Sequence, residues 1–208
     1  MAEAVARGLL FDWGGVLTTN LFAGFAAFCQ EEGIDPGLLR EKFLGDPEAQ
    51  EMLFAFETGE MEEPEFERRL AALLGLAPER AEGFNDRIFD RIGEDRPMIE
   101  ALRNARVHGL RTGLLSNSWG THRYPRHLFG ELFDAVVISG EEGMRKPDAP
   151  IYELAIGRME LPAHEIVFVD DLDRNLEPAR ELGLLTIHHR DTDETLAELE
   201  RLTGVSLR

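Results

Sequence analysis

Five short apolar runs, separated by stretches with helical periodicity, constrain the fold of this 208-residue chain more than any other feature. The runs are partly β-branched, are bounded by Gly or polar residues, and are too apolar to alternate between a buried and a solvated face. Strands buried on both faces of a parallel sheet have this composition. We therefore predict a doubly wound, Rossmann-like α/β core around a five-stranded parallel sheet. The runs cover residues 8–12, 111–117, 134–140, 165–171 and 183–189.

The long stretch between the first and second runs, residues 20–92, contains no convincing strand pattern. Prolines placed near helix starts punctuate it, in the segments IDPG, GDPE, ETGEMEEPE and LAPE. It is far longer than a usual strand-to-helix connection. We therefore predict an α-helical cap domain at residues 20–92, inserted into a core domain made of residues 1–19 and 93–208.

The charge balance limits the partners that this chain can take. It has 22 basic and 40 acidic residues, a formal net charge of −18. Such a chain repels nucleic acid and anionic membranes at long range, so we expect neither as a partner. No apolar run is long enough for a membrane span. An anionic substrate would need a local positive cluster or a bound cation to reverse the field.

Cysteine usage and the N-terminus bear on the compartment. Cys29 is the only cysteine, which excludes an internal disulfide, and its apolar surroundings, FAGFAAFCQ, predict core packing. The N-terminal stretch carries Glu3 and runs directly into a strand pattern, which is not typical of a signal peptide. We expect a cytoplasmic protein. Composition does not determine its oligomeric state.

Polar side chains follow four of the predicted strands. In an open parallel sheet the carboxyl ends of the strands meet at one crevice, where ligands bind. Carboxylate oxygens are the ligands that Mg²⁺ prefers, and two adjacent buried carboxylates are costly without a cation. An ammonium and a hydroxyl suit the oxygens of a phosphate. The set comprises Asp12, Ser116, Asn117, Lys146, Asp170 and Asp171.

The four segments that carry these residues resemble, in order, the motifs of the haloacid dehalogenase superfamily of phosphohydrolases. DWGGVL from Asp12 is similar to the first motif, D-x-D-G-[TV]-L. GLLSNS with Ser116, RKPDAPIY with Lys146 and VFVDDLDRN with its acidic pair are similar to the second, third and fourth. The resemblance spans essentially the whole chain. It implies a Mg²⁺-dependent hydrolase of a small phosphate monoester, such as a sugar phosphate.

The same resemblance implies roles for the acidic residues. Asp12 would be the nucleophile and would form an aspartyl-phosphate that water then hydrolyses. Mg²⁺ would be held by Asp12, Asp170, Asp171 and the carbonyl oxygen of Gly14. Asn175 would either stabilise the loop of the acidic pair or cap the following helix.

The remaining motif residues would hold the phosphate. Ser116 and the amide of Asn117 would bind a phosphoryl oxygen, and Lys146 would offset the charge gathered around nucleophile and phosphate. Lys146 is one of two lysines, the other being Lys42, in a chain with 20 arginines. Where Arg is otherwise preferred, a lysine indicates a need for a compact point charge.

Gly14 departs from the pattern of most phosphatases in this superfamily. They carry Asp two residues after the nucleophile, where it protonates the leaving oxygen and later activates water. Glycine can do neither, and general acid–base catalysis is typically worth about 10²- to 10⁴-fold. Another group on the cap or in the loop with His122, Tyr124 and His127 could act instead. Alternatively, the substrate has a good leaving group, or the enzyme is not a phosphomonoesterase.

Three alternatives therefore stay open. The 2-haloacid dehalogenases also lack the second Asp, but they do not require Mg²⁺, so the acidic pair counts against that reaction. Phosphonoacetaldehyde hydrolases use a cap lysine, for which Lys42 is the single candidate. A catalytically inactive binding protein would not need the full set of motif residues. The D-x-G-[GN]-V first motif and FETGEMEEPEF most resemble a helical-cap branch that includes sugar-phosphate phosphatases and the N-terminal phosphatase domain of epoxide hydrolases.

Two segments beside the predicted crevice are candidates for substrate binding. The cap is expected to close over the crevice, exclude water and select the substrate. Asn20 and Phe22 follow the first strand, and Trp119, His122 and Arg123 lie in the loop after the second. We predict that these five side chains contribute to substrate selection.

Overall fold

The computed structural model describes residues 6–208, apart from the side chain of Arg40, and the described chain forms a single five-stranded sheet. All neighbouring strands are parallel, in the order β3-β2-β1-β4-β5. The chain leaves β1 towards one edge and returns to the other, so the topological switch point lies between β1 and β4. The predicted doubly wound sheet is confirmed. Its strands are β1 (Gly8–Phe11), β2 (Arg111–Ser116), β3 (Ala135–Ile138), β4 (Ile166–Asp170) and β5 (Leu185–His188).

Helices alone form the regular structure of the segment between residues 20 and 92. Pro36 and Pro47 lie in the first turns of two of them, where the missing N–H has no helical partner, and Asp35 and Asp46 cap the same turns. This segment has its own apolar cluster, in which Cys29 is buried as predicted. The helices are α1 (Leu21–Glu32), α2 (Pro36–Gly45), α3 (Pro47–Glu57), α4 (Glu63–Leu73) and α5 (Phe84–Phe89), with a 3₁₀ turn at Pro78–Arg80.

The remaining helices cover both faces of the sheet. They are α6 (Arg96–Val107), α7 (Arg126–Leu132), the short α8 (Ser139–Glu142), α9 (Ala149–Met159), α10 (Asp173–Glu181) and α11 (Thr192–Thr203). Leu9 and Phe11 of β1 pack in the cluster that contains residues of α6, α7 and α11. Leu10 packs in the cluster that contains residues of α9 and α10. Successive side chains of a strand point to opposite faces, so a central strand buried on both must be apolar throughout.

The two segments through which the chain enters and leaves the helical segment contact each other. Thr18 and Glu94 form an isolated antiparallel bridge, and the backbone N–H of Thr19 donates to the carbonyl of Gly93 at 2.8 Å. These contacts lie beside the predicted boundaries at residues 19/20 and 92/93. The division into core and cap domains stays a prediction, which the pairing and the separate apolar cluster support.

Two expectations concern targeting and membranes. Glu3, on which the expectation of no signal peptide partly depends, lies outside the described residues. Among residues 6–208, no helix combines the length and the apolar character that a membrane crossing requires.

Candidate active site

The carboxyl ends of β1, β2 and β4 bring together the polar side chains predicted from the sequence. Asp12 follows β1 directly, is 8% exposed, and donates its backbone N–H to the carbonyl of Val169 at 2.9 Å. Asp170 ends the neighbouring strand β4. Lys146 reaches between them, with Nζ 3.0 Å from Oδ2 of Asp12 and 2.6 Å from Oδ2 of Asp170. The nucleophile candidate is thus held in place by a buried ammonium.

The charges of this cluster do not balance. Burial by itself lowers the pKa of Lys146, but the charges of Asp12 and Asp170 outweigh it and hold that pKa above its ordinary value. Burial raises the pKa of Asp12 to about 6, against the lowering effect of Lys146. Burial, together with the charges of Asp12 and Asp170, raises the pKa of Asp171 to about 7. Three carboxyl groups surround one ammonium, so a bound divalent cation would stabilise their charged forms.

The acidic cluster fits Mg²⁺ by its donor set. One carboxylate oxygen from each of Asp12, Asp170 and Asp171 lies within 4.8 Å of the others. Oxygen-only ligands suit Mg²⁺ rather than Zn²⁺. Asn175 donates from Nδ2 to both carboxylate oxygens of Asp170, at 3.0 and 3.1 Å. Of the two roles predicted for Asn175, the structure shows the contact with the acidic loop. Gly14 lines the same crevice, and ligation by its carbonyl stays a prediction.

The two glycines after Asp12 are held by different constraints. A Cβ built on Gly14 would stand 2.6 Å from Cδ1 of Leu21, the first residue of α1. Any side chain at position 14 would therefore meet Leu21. Gly15 has φ +73°, and a Cβ there would stand 2.5 Å from Oδ2 of Asp171. This glycine allows the backbone to pass against a carboxylate of the acidic cluster.

Among the described residues, the hydroxyl of Ser116 accepts one hydrogen bond and has only a long contact, 3.5 Å to the carbonyl of Asn117, as an acceptor for its own proton. Tyr124 donates from its hydroxyl to Oγ of Ser116 at 3.0 Å, and burial raises the pKa of Tyr124, so this phenol stays protonated. The side-chain amide of Asn117 is engaged with the backbone of Lys146, accepting at 2.8 Å and donating at 3.0 Å. This leaves the backbone amide of Asn117 for the predicted phosphate contact, which stays a prediction.

The predicted substrate-binding loop also joins core and cap. Trp119 donates from Nε1 to Oδ1 of Asn85 at 2.8 Å and packs among the aromatic rings of the cap. Arg123 pairs with Glu63, and Nε2 of His122 lies 3.1 Å from the same carboxylate. All three loop residues line the crevice, but the two basic side chains already contact cap acids.

The other candidates are placed less uniformly. Phe22 is 55% exposed and lines the crevice. Asn20 is not part of the crevice wall; its side chain accepts from the N–H of Ala23 at 3.0 Å and caps α1. His127 is exposed on α7, outside the wall. Lys42 also lies outside it, with Nζ 3.2 Å from Oδ2 of Asp46.

Sequence reasoning missed Glu57 and Arg145. Glu57, the last residue of α3, lines the crevice, and its Oε2 lies 2.9 Å from Nη2 of Arg145 and 3.3 Å from Nδ2 of Asn117. Burial raises the pKa of Glu57 to about 7, although Arg145 and Arg174 lower it. A carboxylate at the end of the apolar helix segment MLFAFE was the signal available in the sequence.

Asp12, Ser116, Lys146, Asp171 and Glu57 all line one cavity between the sheet and the helical segment, with a volume of about 1200 Å³. Such a reaction centre, beyond the carboxyl ends of parallel strands, is characteristic of doubly wound α/β enzymes. The family follows from comparison with known proteins. The chain belongs to the haloacid dehalogenase-like hydrolases, whose family model matches residues 6–183.

Two curated proteins show sequence similarity to this chain. It is 39% identical over 131 residues to bifunctional epoxide hydrolase 2 of Sus scrofa, a match that covers 58% of this chain and 24% of that protein. The chain thus spans about a quarter of the length of this relative. It is 28% identical over 201 residues to a sesquiterpene phosphatase of Aspergillus oryzae, covering 95% of this chain and 97% of that protein.

A solved structure shows the same fold. A magnesium complex of a HAD family enzyme from Bacteroides thetaiotaomicron superposes with a TM-score of 0.64 and 20% identity. The superposition covers 89% of this chain and 94% of that one. At this identity the likeness concerns the fold, and the predicted core architecture is confirmed by it.

Proposed function

We propose that this protein is a Mg²⁺-dependent hydrolase of small phosphate monoesters that works through an aspartyl-phosphate at Asp12. The observation that carries the proposal is the position of Asp12 in the cavity, 3.0 Å from Lys146 and within an oxygen-only acidic cluster. A lysine and a divalent cation are the charges that phosphoryl transfer requires. The full-length sesquiterpene phosphatase relative supports the reaction class.

In the first step a carboxylate oxygen of Asp12 attacks phosphorus, and the ester P–O bond breaks as the P–O bond to Asp12 forms. Lys146 orients this carboxylate through Oδ2. Ser116, which accepts a hydrogen bond from Tyr124, keeps its own proton for a phosphoryl oxygen. In the second step water attacks phosphorus, inorganic phosphate leaves, and the Asp12 carboxylate is restored.

The cation would be held by Asp12, Asp170, Asp171 and the carbonyl of Gly14, and it would supply positive charge to the phosphoryl oxygens. Lys146 and this cation together would supply the local positive charge that offsets the repulsion between an anionic substrate and a chain of net charge −18. The same charge supports a small molecule, rather than nucleic acid or a membrane, as the partner. The single cysteine supports a reducing, cytoplasmic setting.

The alternative reactions receive less support from the site. The acidic cluster is unnecessary for a haloacid dehalogenase. The one lysine available for imine chemistry, Lys42, lies outside the cavity wall and contacts Asp46. An inactive binding protein would have no use for a buried lysine that aligns Asp12.

The test is release of p-nitrophenol from p-nitrophenyl phosphate with Mg²⁺ and in EDTA. We expect turnover by the unmodified protein with Mg²⁺, loss in EDTA, and loss in Asp12→Asn. The matched control is Asp193→Asn, an exposed aspartate on α11 outside the cavity wall, which should keep full activity. Acid quenching followed by mass spectrometry should find phosphate on Asp12. Equal turnover in Asp12→Asn, or turnover of a haloacid in EDTA, would refute the proposal.

A further inference from the structure

The wall that the helical segment contributes to the cavity is mainly apolar. The described part of the chain exposes four large apolar side chains, and three of them line this cavity: Phe22 (55%), Leu44 (59%) and Phe54 (48%). Val107, the fourth, is 82% exposed and lies elsewhere, on α6. Three large apolar side chains exposed together at one site are typical of a binding site for an apolar ligand. Further apolar members of this wall are Leu21, Phe25, Leu39, Phe43, Leu53 and Phe89.

Three of the four polar side chains that residues 20–92 contribute to this wall have protein partners, and the fourth, the exposed Asp90, has none among the described residues. Gln50 donates from Nε2 to the carbonyl of Leu44 at 2.9 Å, and Asp86 pairs with Arg123. The hydroxyl groups of a sugar would need partners to replace water, because a buried polar group without one costs about 1–3 kcal/mol. The wall therefore suits carbon chains better than polyols.

The opposite side of the cavity is polar. The core supplies Asp12, Ser116, Lys146 and Asp171 at the strand ends, where the phosphate is expected. One cavity of about 1200 Å³ thus joins a phosphate site to an apolar wall, with room for both parts of an amphipathic molecule. This continuity identifies the occupant of the wall as the organic part of the substrate.

We propose that the substrate is the phosphate monoester of a long apolar alcohol, such as an alkyl or isoprenoid chain, instead of a sugar phosphate. This inference rests on the proposed phosphatase reaction and specifies its substrate class. The phosphate binds at the strand ends, and the chain lies against Phe22, Leu44 and Phe54. Each buried methylene contributes about 0.8 kcal/mol, which corresponds to about a fourfold gain in kcat/KM.

The test is kcat/KM for butyl, hexyl and octyl phosphate, with glucose 6-phosphate and p-nitrophenyl phosphate measured alongside. We expect a rise of about two- to fourfold per methylene and poor turnover of glucose 6-phosphate. Equal kcat/KM across the alkyl series, or a preference for the sugar phosphate, would overturn the substrate class. The phosphatase proposal would then survive if p-nitrophenyl phosphate is hydrolysed. It would fail if no ester releases phosphate.

Two variants of matched chemistry locate the effect. Phe22→Ser and Leu44→Ser should flatten the dependence of kcat/KM on chain length. Val107→Ser removes a still more exposed apolar side chain outside the cavity and should keep the full dependence. A slope unchanged in both cavity variants would show that the chain does not lie on this wall.

A separate observation concerns the proton donor missing at Gly14. Glu57 enters the same cavity from α3, and its Oε2 lies 3.3 Å from Nδ2 of Asn117, the residue after Ser116. The backbone carbonyl of Glu57 accepts hydrogen bonds from the hydroxyls of Ser118 and Ser139, at 3.2 and 2.5 Å. The core therefore holds the end of α3 against the phosphate end of the cavity.

The charges that face Glu57 come from three segments. Arg145, Arg174 and Lys146 favour the carboxylate, whereas burial and the charge of Asp12 favour the neutral acid. The balance leaves the pKa of Glu57 at about 7, so both forms are populated at neutral pH. A group that gives up a proton in one step and takes one in the next needs this property.

We infer that Glu57 acts as the general acid and base of the reaction. As Oδ of Asp12 bonds to phosphorus, the electron pair of the ester P–O bond passes to the leaving oxygen, which takes the proton of the Glu57 carboxyl group. The resulting carboxylate then takes a proton from the water that attacks the aspartyl-phosphate. This inference also rests on the proposed phosphatase reaction.

Single-turnover measurement of alcohol release tests this role. Glu57→Gln should slow the release of octanol from octyl phosphate by about 10²- to 10⁴-fold, because that leaving group needs a proton. Release of p-nitrophenol, which leaves as an anion, should fall far less, and this burst also reports the folded, active fraction. Asp86→Asn, a second cap carboxylate in the cavity wall, is the control and should not separate the two substrates. Equal slowing of both substrates, or of neither, would refute the role of Glu57.

Discussion

Replacing Gly15 by Ala tests how closely the backbone after Asp12 approaches the acidic cluster. Gly15 has φ +73°, and a new Cβ would stand 2.5 Å from Oδ2 of Asp171, whereas ordinary contact begins at 3.4 Å. The Asp171 carboxylate must therefore retreat by several times the roughly 0.2 Å that metal–ligand distances tolerate. We expect Mg²⁺ affinity to fall about 10- to 100-fold, the range seen when the support of a metal ligand is disturbed.

The control for this variant is Gly109→Ala. Gly109 has φ +78° and no atom within 4 Å of a built Cβ, so it carries the same backbone strain without the collision. Left-handed backbone costs a residue with a Cβ roughly 1–2 kcal/mol, so both variants should lose at least this much stability in urea unfolding, and any further loss in Gly15→Ala comes from the collision. Isothermal titration with Mg²⁺, together with the Mg²⁺ dependence of p-nitrophenyl phosphate hydrolysis, separates them. Wild-type Mg²⁺ affinity in Gly15→Ala would refute the placement of Asp171 as a ligand.

Three further tests probe the buried charges and the missing acid. Lys146→Met leaves two buried carboxylates without their partner, and in urea titration it should lower the free energy of unfolding by about 3–5 kcal/mol. The control is Lys42→Met, which removes one partner of a surface ion pair and should lower the free energy of unfolding by less than about 1 kcal/mol. The pKa of Glu57 is raised from 4.5 to about 7, so its contribution to stability is fully present below pH 4.5 and is lost as pH rises through 7. Relative to Glu57→Gln, the unmodified protein should therefore lose up to about 3 kcal/mol between pH 4.5 and 8, and a constant difference across that range would contradict the raised pKa. Gly14→Asp combined with Leu21→Ala should hydrolyse butyl phosphate, whose short chain depends least on the apolar wall, at least about tenfold faster than Gly14→Asp alone. The reason is that Leu21 occupies the space beside the new side chain. Equal rates would show that Leu21 is no obstacle.

Local pattern was sufficient to predict the sheet. All five predicted runs contain the observed strands, because a strand buried on both faces must be apolar along its whole length. The positions of Asp12, Ser116 and Asp170 followed from those strand ends. Prolines likewise predicted the helix starts at Pro36 and Pro47, since the fixed φ of proline suits a first turn.

The use of side chains in the loops could not be predicted in the same way. Arg123 and His122 suit an anionic substrate by composition, yet both contact Glu63 of the cap. Asn20 caps α1. Each of these residues has several possible partners, and the choice depends on which helix packs opposite it. Periodicity contains no information about that choice.

The sheet, the helical insertion and the motif residues at the strand ends could be predicted from the sequence. They depend on local hydrophobic pattern and on residue order. Tertiary structure alone decided what surrounds Asp12. It placed Leu21 beside Gly14, Asp171 against Gly15, and Glu57 beside Asn117 in the cavity wall. These contacts join residues of the core to residues of the cap, or join the loops that follow two different strands. They therefore form only when segments distant in sequence pack together. Their distances and burial then set the charge balance and the space available to a substrate.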